Sequence, residues 1–227
     1  MTATEPRLDG ARRPLTRERV LEGAVALADT IGVETLTIRR LAQELGVKPM
    51  TIYHYVPGKD AILDGMVDLV FAEIDLPAGD GWRAALRHRC MSAREVMRRH
   101  PWAPPLMESR TNPGPATLRH HDAVLACLLA GGLSLQTTAH TVAVLDSFIY
   151  GFALQEANLP FGGSERIGEL AEQIVDAMPE DEYPAMVKFT RDHVLRPGYS
   201  FGRSFEFGLD LLLDGLESAA AAEGEGP

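Results

Sequence analysis

Residues 47–57 read VKPMTIYHYVP, and this stretch decides the fold of the N-terminal part of the chain. Pro49 suits the first turn of a helix, where the missing N–H of proline has no partner to lose. Pro57 pushes Val56 out of the helical backbone region, so the helix has only about seven residues and ends at Tyr55. A two-turn helix is unstable alone in water. One that turns two tyrosines and a threonine outward must be held by neighbouring helices, and we infer that its outer surface contacts a partner.

Two helices precede this segment. Thr16 is a favourable N-cap for the first, and Gly32 ends it. Thr37 caps a short second helix that Gly46 stops. Three helices in this order predict a helix-turn-helix with the recognition helix at residues 49–55. The apolar face of the second helix, which packs against the recognition helix, consists of Ile38, Leu41, Ala42 and Leu45.

The remainder of the chain shows helical periodicity and no convincing alternating segment, so the sequence predicts an all-α fold. We expect a flexible arm at residues 1–15, a helix-turn-helix domain at 16–62 and a larger helical domain at 63–222. A bend is predicted where Pro101, Pro104 and Pro105 follow the fifth helix. The later helices are predicted at residues 59–76, 82–100, 116–130, 134–157, 182–195 and 200–220, with a loop at 158–182 that includes one helical stretch at 167–177.

The charge is distributed unevenly along the chain. The net charge of −10 opposes phosphate binding by the protein as a whole. Residues 1–60, however, carry nine Lys/Arg and eight Asp/Glu, whereas the remainder carries thirteen and twenty-four. This split permits DNA binding by one end only. We expect a cytoplasmic protein with no membrane segment, because no long apolar run or secretory signal is present, and two cysteines form no disulfide framework.

A longer stretch carries a family resemblance. Residues 36–63, LTIRRLAQELGVKPMTIYHYVPGKDAIL, resemble the tetracycline-repressor (TetR) family of bacterial regulators. That family repeats L-A-x-x-L-G-V, then T-[IL]-Y-x-[HY]-[FV], then K-[DE]-x-[IL]-[IL]. The corresponding segments here are LAQELGV at 41–47, TIYHYV at 51–56 and KDAIL at 59–63.

A second resemblance covers about residues 82–157. The segments RHPW at 99–102, GP at 114–115, AGGLS at 130–134 and YGFALQE at 150–156 are similar to the tetracycline-repressor type of C-terminal domain. This resemblance implies an inducer pocket inside the helical core. It also implies a homodimer formed by the helices at 134–157 and 200–220.

The predicted partner is double-stranded DNA, with the recognition helix in the major groove. Lys48 and the helix start at Pro49, Met50 and Thr51 are expected at base edges, where Pro49 and Met50 read shape or a thymine methyl. Arg39 reaches a guanine or a phosphate. We assign Thr37, Tyr53, Tyr55 and Lys59 to phosphates. His54 lies beside them and is counted among the DNA-contact candidates, although it is more readily explained as a solvent-exposed residue. Tyr53 and Tyr55 have an alternative role as packing residues of the small helical core.

The sequence offers fewer candidates for the ligand pocket than for contacts with DNA. Trp102 and Met107 follow the proline-bent turn, where the chain cannot pack regularly. The remaining candidates are His121, Phe148, Phe152 and Gln155. The two phenylalanines lie on an apolar stripe that equally suits the core or a dimer interface, because helical spacing does not separate these.

No metal site or cofactor is expected. His120 and His121 are adjacent on a helix and so point about 100° apart. Where the tetracycline repressor holds magnesium through a histidine and a glutamate, this chain has Glu108 and Gln155. That departure argues against tetracycline–magnesium recognition and predicts a different, apolar ligand.

The leading hypothesis is a homodimeric repressor that a small-molecule effector releases from a palindromic operator. One alternative is a helical DNA-binding regulator without an effector. Another is an enzyme, but His140 and Ser147 lie two helical turns apart, too far for a hydrogen bond. The sequence contains no phosphate-binding glycine loop and no paired carboxylates with a reason for perturbed pKa values.

Overall fold

The computed structural model describes residues 14–159 and 171–224, and within these ranges the chain forms helices joined by turns. No strand occurs in them, and the predicted all-α fold is confirmed. The elements are α1 (Arg17–Ile31), α2 (Ile38–Glu44), α3 (Pro49–Ile52), α4 (Lys59–Glu73), α5 (Trp82–Arg99), α6 (Ala103–Ser109), α7 (Pro115–Ala130), α8 (Leu135–Asn158), α9 (which includes residues 171–176), α10 (Pro184–Phe189) and α11 (Arg203–Gly224). A 3₁₀ turn at Val33–Thr35 follows α1, and a π turn at Thr190–Val194 follows α10.

The starts of α1 and α2 are fixed by side-chain caps, as the sequence predicts. Thr16 Oγ1 accepts a hydrogen bond from Arg19 N–H at 3.2 Å, and Thr37 Oγ1 accepts one from Arg40 N–H at the same distance. Each bond satisfies a backbone donor that has no partner inside the helix. Both predicted N-caps are therefore confirmed.

The turn between α2 and α3 depends on one glycine. Gly46 has φ +66°, a backbone conformation that residues with a Cβ rarely adopt. Across it, Val47 N–H donates to Ala42 C=O at 2.9 Å, which satisfies a carbonyl at the end of α2. The chain then changes direction and enters α3 at Pro49.

The recognition helix α3 is shorter than predicted. Its regular part is Pro49–Ile52, and residues 53–55 form a turn instead of a second helical turn. The physical reason is Pro57, which keeps Val56 extended and so prevents the helix from being completed. Ile52 and Val56 are both buried.

Helix α4 connects the two parts of the molecule. It runs without a break across the predicted domain boundary between residues 62 and 63. It packs on α1 on one side and on α6 and α7 on another. The contact with α1 is close at Gly65, where an added Cβ would lie 2.6 Å from the side chain of Leu21. Helices α4 and α1 are therefore packed closely against each other at this position.

The larger domain is built around α5, which packs on α7, α8 and α11. Its buried face includes Leu86, Cys90 and Ala93. Half-buried arginines of α5 pair with carboxylates of α11, as in the 2.8 Å bond from Arg87 Nε to Asp210.

The structure differs from the predicted pattern at the proline turn after α5 and in the helix at 182–195. The prolines after α5 do not merely bend the chain, because Pro104 and Pro105 lie in the first turn of α6, where proline needs no donor. The helix predicted at 182–195 is divided into α10 and the π turn. The arm predicted at 1–15 and the loop predicted at 158–182 lie partly outside the described residues, at 1–13 and 160–170.

Candidate nucleic-acid interface and internal cavity

The outer surface of the α2–α3 unit is exposed and carries large side chains. Met50 is 70% exposed, Tyr53 45% and Tyr55 36%. The alternative in which both tyrosines pack into the helical core is not what the structure shows. A two-turn segment that leaves these three side chains in water has a surface suited to a partner.

Basic side chains surround this surface. Arg39, Lys48 and Lys59 are exposed, and none pairs with a carboxylate in the part of the chain that the structure describes. Thr37 is exposed, but its hydroxyl already caps α2. The residues predicted to contact DNA thus lie on one continuous segment, exposed except for the half-buried Thr51: Thr37, Arg39, Lys48, Pro49, Met50, Thr51, Tyr53, His54, Tyr55 and Lys59.

A cavity of about 330 Å³ lies between α4, α6, α7 and α8. This volume falls in the range of small-molecule sites. Its walls are largely apolar and include Val67 and Phe71 of α4, Met107 of α6 and Leu118 of α7. Polar groups at the other wall come from His121, Asp146 and Tyr150.

A buried arginine organises the polar wall. Arg89 is 2% exposed, and its guanidinium donates to Asp146 Oδ1 at 2.9 Å and to His120 Nε2 at 3.0 Å. Burial and the neighbouring Arg89 cation lower the pKa of His120 to about 3, so that its ring is neutral. Burial, together with Asp146, raises the pKa of Tyr150, which keeps its phenol protonated and able to donate a hydrogen bond.

The loop between α6 and α7 is tied to α4 by carboxylates. Arg110 Nε donates to Asp64 Oδ1 at 2.5 Å. Asp68 Oδ1 accepts from the backbone N–H of Thr117 at 2.8 Å and from its hydroxyl at 3.0 Å. These bonds place the loop over the cavity. Helix α4, which begins two residues after Pro57, therefore forms one wall of the cavity and also anchors the loop.

The structure brings together only part of the predicted ligand set. Met107 and His121 line the cavity, and His121 Nδ1 is fixed by the carbonyl of Thr117 at 2.8 Å. Trp102 lies elsewhere, with its indole N–H bonded to Asp29 at 2.6 Å. Gln155 is exposed on α8 outside the cavity.

Phe148 and Phe152 also lie outside this cavity. Phe148 stacks on α11, where its ring centroid is 5.1 Å from that of Phe205. Phe152 stacks on the turn before α11, where its ring centroid is 4.7 Å from that of Phe201. Residues two positions apart on a helix point to opposite sides. The side of α8 that bears Tyr150 is therefore opposite the one that bears the phenylalanines.

Sequence reasoning missed Phe71, Thr117, Asp146 and Tyr150. The available signal was the pair Asp146 and Tyr150, a carboxylate and a phenol one turn apart on an otherwise apolar helix. Polar groups on one stripe of a core helix indicate either a buried network or a binding wall. Phe71 and Thr117 gave no such signal, because they lie at ordinary core spacing.

Glu108 and Gln155 are the residues that the resemblance places where the tetracycline repressor holds magnesium. Glu108 lines the cavity, but Gln155 does not. Among the described residues no cluster of three or more His, Cys, Asp or Glu side chains has the arrangement of a metal site. None of the helices in the described residues combines the length and the apolar character needed to cross a membrane.

Comparison with known proteins agrees with both halves of this architecture. Residues 20–66 match the family described as bacterial regulatory proteins, tetR family, and residues 76–220 match the tetracycline-repressor-like C-terminal domain. The chain belongs to the TetR family. It is a DNA-binding transcriptional regulator and not an enzyme, as the sequence predicts.

Individual TetR-family relatives align over nearly the whole chain. The HTH-type transcriptional repressor DrrR1 of Streptomyces coeruleorubidus is 35% identical, covering 93% of this chain and 81% of the relative. The class D tetracycline repressor of Escherichia coli is 26% identical over 89% of each chain. The crystal structure of Streptomyces coelicolor ActR in complex with actinorhodin superposes with a TM-score of 0.76 at 27% identity, covering 91% of this chain and 97% of ActR.

Proposed function

We propose that this protein is a homodimeric repressor, acting in the cytoplasm, that a small molecule releases from a palindromic operator. The observation that carries the proposal is the position of α4. This helix begins beside the recognition helix and provides one wall of the internal cavity. A ligand that displaces α4 would change the separation of the two recognition helices, which must match half-sites a helical turn apart.

On DNA, we assign two sets of contacts. Lys48 and Thr51 approach base edges because they lie at the start of the helix that enters the groove, and Arg39 approaches them from the second position of α2. Tyr53, Tyr55 and Lys59 contact phosphates, which position the protein without reading sequence. Met50 and Pro49 donate no side-chain hydrogen bond, so direct readout at their positions is weak.

For the effector, the cavity favours a largely apolar body with one or two polar groups. The apolar walls come from α4, α6 and α7, and the polar groups would meet the phenol of Tyr150 and the imidazole of His121. Since ActR has been crystallised with actinorhodin and with (S)-DNPA, a related fold accommodates organic ligands of this kind. The relative DrrR1 is named a repressor, which supports the sign of regulation.

For the dimer, the exposed side of α11 provides the main surface. Phe207 is 70% exposed and Leu211 57%, although Phe205, Leu209 and Leu213 on the other side are buried in the protomer. A helix that is apolar on both sides is typical of a buried position. We therefore place α11 in the interface with α8, in agreement with the helices at 134–157 and 200–220 that the resemblance implies. Phe207→Glu should convert the dimer into a monomer in sedimentation.

The DNA-binding part is tested by footprinting the intergenic region upstream of the protein's own gene at low salt. Lys48→Ala should weaken the preferred site by about 1–3 kcal/mol and relax sequence preference, whereas Tyr53→Ala should weaken all DNA similarly. Lys188→Ala is the matched control, since it removes one exposed cation on α10. Absence of any protected palindrome, or wild-type affinity of Tyr53→Ala, would refute this part.

The effector part is tested with a panel of apolar organic compounds, first by thermal shift and then by release of bound DNA. A hit that occupies the cavity should lose about tenfold in affinity in Tyr150→Phe, which removes one hydrogen bond and keeps the ring. Tyr183→Phe is the control, because Tyr183 is exposed and outside the cavity. If no compound both binds the protein and releases it from DNA, the alternative of a regulator without an effector is correct.

A further inference from the structure

A second cavity lies where the helix-turn-helix meets the larger domain. Its volume is about 410 Å³. One wall is the end of α1 with the following 3₁₀ turn, the second is the turn before α6 with α6 itself, and the third is the C-terminal end of α8. It shares no lining residue with the cavity between α4, α6, α7 and α8.

The lining of this junction cavity is apolar with acidic groups at one side. Val33, Pro105, Leu106 and Leu154 are among its apolar residues. Its charged lining residues, in the part of the chain that the structure describes, are two carboxylates, those of Asp29 and Glu34, and no lysine or arginine takes part. The indole of Trp102 adds an aromatic wall.

The groups next to the lining residues carry charges of both signs. Asp29 Oδ1 accepts from Trp102 Nε1 at 2.6 Å and lies 2.8 Å from His100 Nδ1. His100 is shared with Glu73, 3.3 Å from its other ring nitrogen, and Arg99 also pairs with Glu73. Arg99 balances the carboxylate of Glu73, and the His100 ring lies between the carboxylates of Glu73 and Asp29. Glu34 has no ion-pair partner within the described residues. Arg40 lies beside the same turn, where its guanidinium donates to the carbonyl of Thr35 at 3.2 Å, but it does not line the cavity, so both charged lining residues are acidic.

We propose that the junction cavity binds a small organic cation, an ammonium group carried on a compact apolar body. The carboxylates of Glu34 and Asp29 attract the ammonium, the apolar walls bury the body, and the face of an indole is a favourable neighbour for a cation. An organic anion is rejected, because it would meet like charge with no basic lining residue to compensate.

Binding at this position has a consequence for regulation. The walls belong to the DNA-binding unit on one side and to the larger domain on the other, so the affinity of the cation depends on how these two are oriented. By linkage, a bound cation biases that orientation in return. The site is therefore a second regulatory input, separate from the proposed effector cavity.

The test uses the full-length dimer with Trp82→Phe, which leaves Trp102 as the single tryptophan. The probes are 1-adamantanamine, 1-adamantanol and 1-adamantanecarboxylate, which share one apolar cage, differ in charge and do not absorb where indole does. We expect a saturable change in Trp102 fluorescence with the amine, at an affinity at least tenfold higher than that of the carboxylate. The alcohol should fall between them.

Two substitutions locate the site. Glu34→Gln should weaken the amine at least threefold and leave the alcohol unchanged, since Glu34 is exposed and its substitution does not alter the core. Ala157→Arg, which places a cation at the cavity wall, should weaken the amine at least tenfold, and Ala157→Gln is its neutral control. Leu118→Arg, in the other cavity, should have no effect.

Several outcomes would overturn the proposal. These are equal affinity for the amine and the carboxylate, no saturable signal with the amine, or loss of the signal in Leu118→Arg. Because the readout is taken without DNA and without an effector, such a failure is distinguishable from failure of operator binding or of effector release.

Discussion

The carboxylate of Asp29 holds two buried donors across the boundary between the helix-turn-helix and the larger domain, and its removal tests this part of the structure. Trp102 is 7% exposed and donates its indole N–H at 2.6 Å. His100 is similarly buried and bonds through Nδ1 at 2.8 Å. Asp29→Ala would leave both donors without this acceptor.

The expected cost follows from the burial of these groups. A buried donor left unsatisfied costs about 1–3 kcal/mol, so two of them give a range of about 2–6 kcal/mol. The side chain of Asp29 is 29% exposed, which lets water replace part of the carboxylate. We therefore expect the free energy of unfolding to fall by about 2–3 kcal/mol, in the lower half of that range.

Urea unfolding at pH 7 and one fixed protein concentration measures this loss, because the stability of a dimer depends on concentration. Asp29→Asn keeps an acceptor oxygen and should lose less than Asp29→Ala. Glu34→Ala is the matched control, an exposed carboxylate five residues later that should change stability by less than about 0.5 kcal/mol. If Asp29→Ala falls within that same margin, the two bonds do not hold the domains together and the reasoning is wrong.

Further predictions concern the core. Because the pKa of His120 is lowered from 6.5 to about 3, the unfolded chain takes up a proton there before the folded one does. Stability should therefore fall by about 1.4 kcal/mol per pH unit as pH drops below 6.5, and His120→Phe should reduce this slope in acid-unfolding curves. Gly131→Ala should lower the thermal midpoint, by the equivalent of about 1–3 kcal/mol, because its Cβ would lie 2.5 Å from the Trp82 ring, whereas Gly58→Ala meets nothing within 4 Å and should not. Ile52→Ala, at a fully buried position, should cost about 2–5 kcal/mol in urea unfolding and abolish operator binding in gel shifts; retention of wild-type stability would contradict its place in the core.

Much of the N-terminal unit could be predicted from local sequence. The caps at Thr16 and Thr37 and the reversal at Gly46 depend on residues within five positions of one another. The helix predicted at residues 49–55 is longer than the observed α3, because Pro57 shortens the helix by more than the one residue that precedes it. A helix start needs only a local acceptor, whereas a helix end depends on how the following chain packs.

The ligand candidates show where local reasoning stops. Phe148 and Tyr150 are two residues apart on α8, yet one packs on α11 and the other faces the cavity. Trp102 follows a proline turn that suggested a pocket, but its indole is committed to Asp29, 73 positions earlier in the sequence. Periodicity indicates which residues share a side of a helix and not which neighbour that side meets.

The sequence by itself determined the helix-turn-helix and the all-α class, because capping, helix termination and apolar spacing act between residues that are close along the chain. The exposure of Tyr53 and Tyr55 was decided by the structure. The tertiary structure decided which helices enclose the cavity and that α4 serves both units. It also placed Arg89, Asp146 and His120 in one buried network. These features join residues 31 and 57 positions apart, and such contacts are set by the packing of helices, which no local pattern specifies.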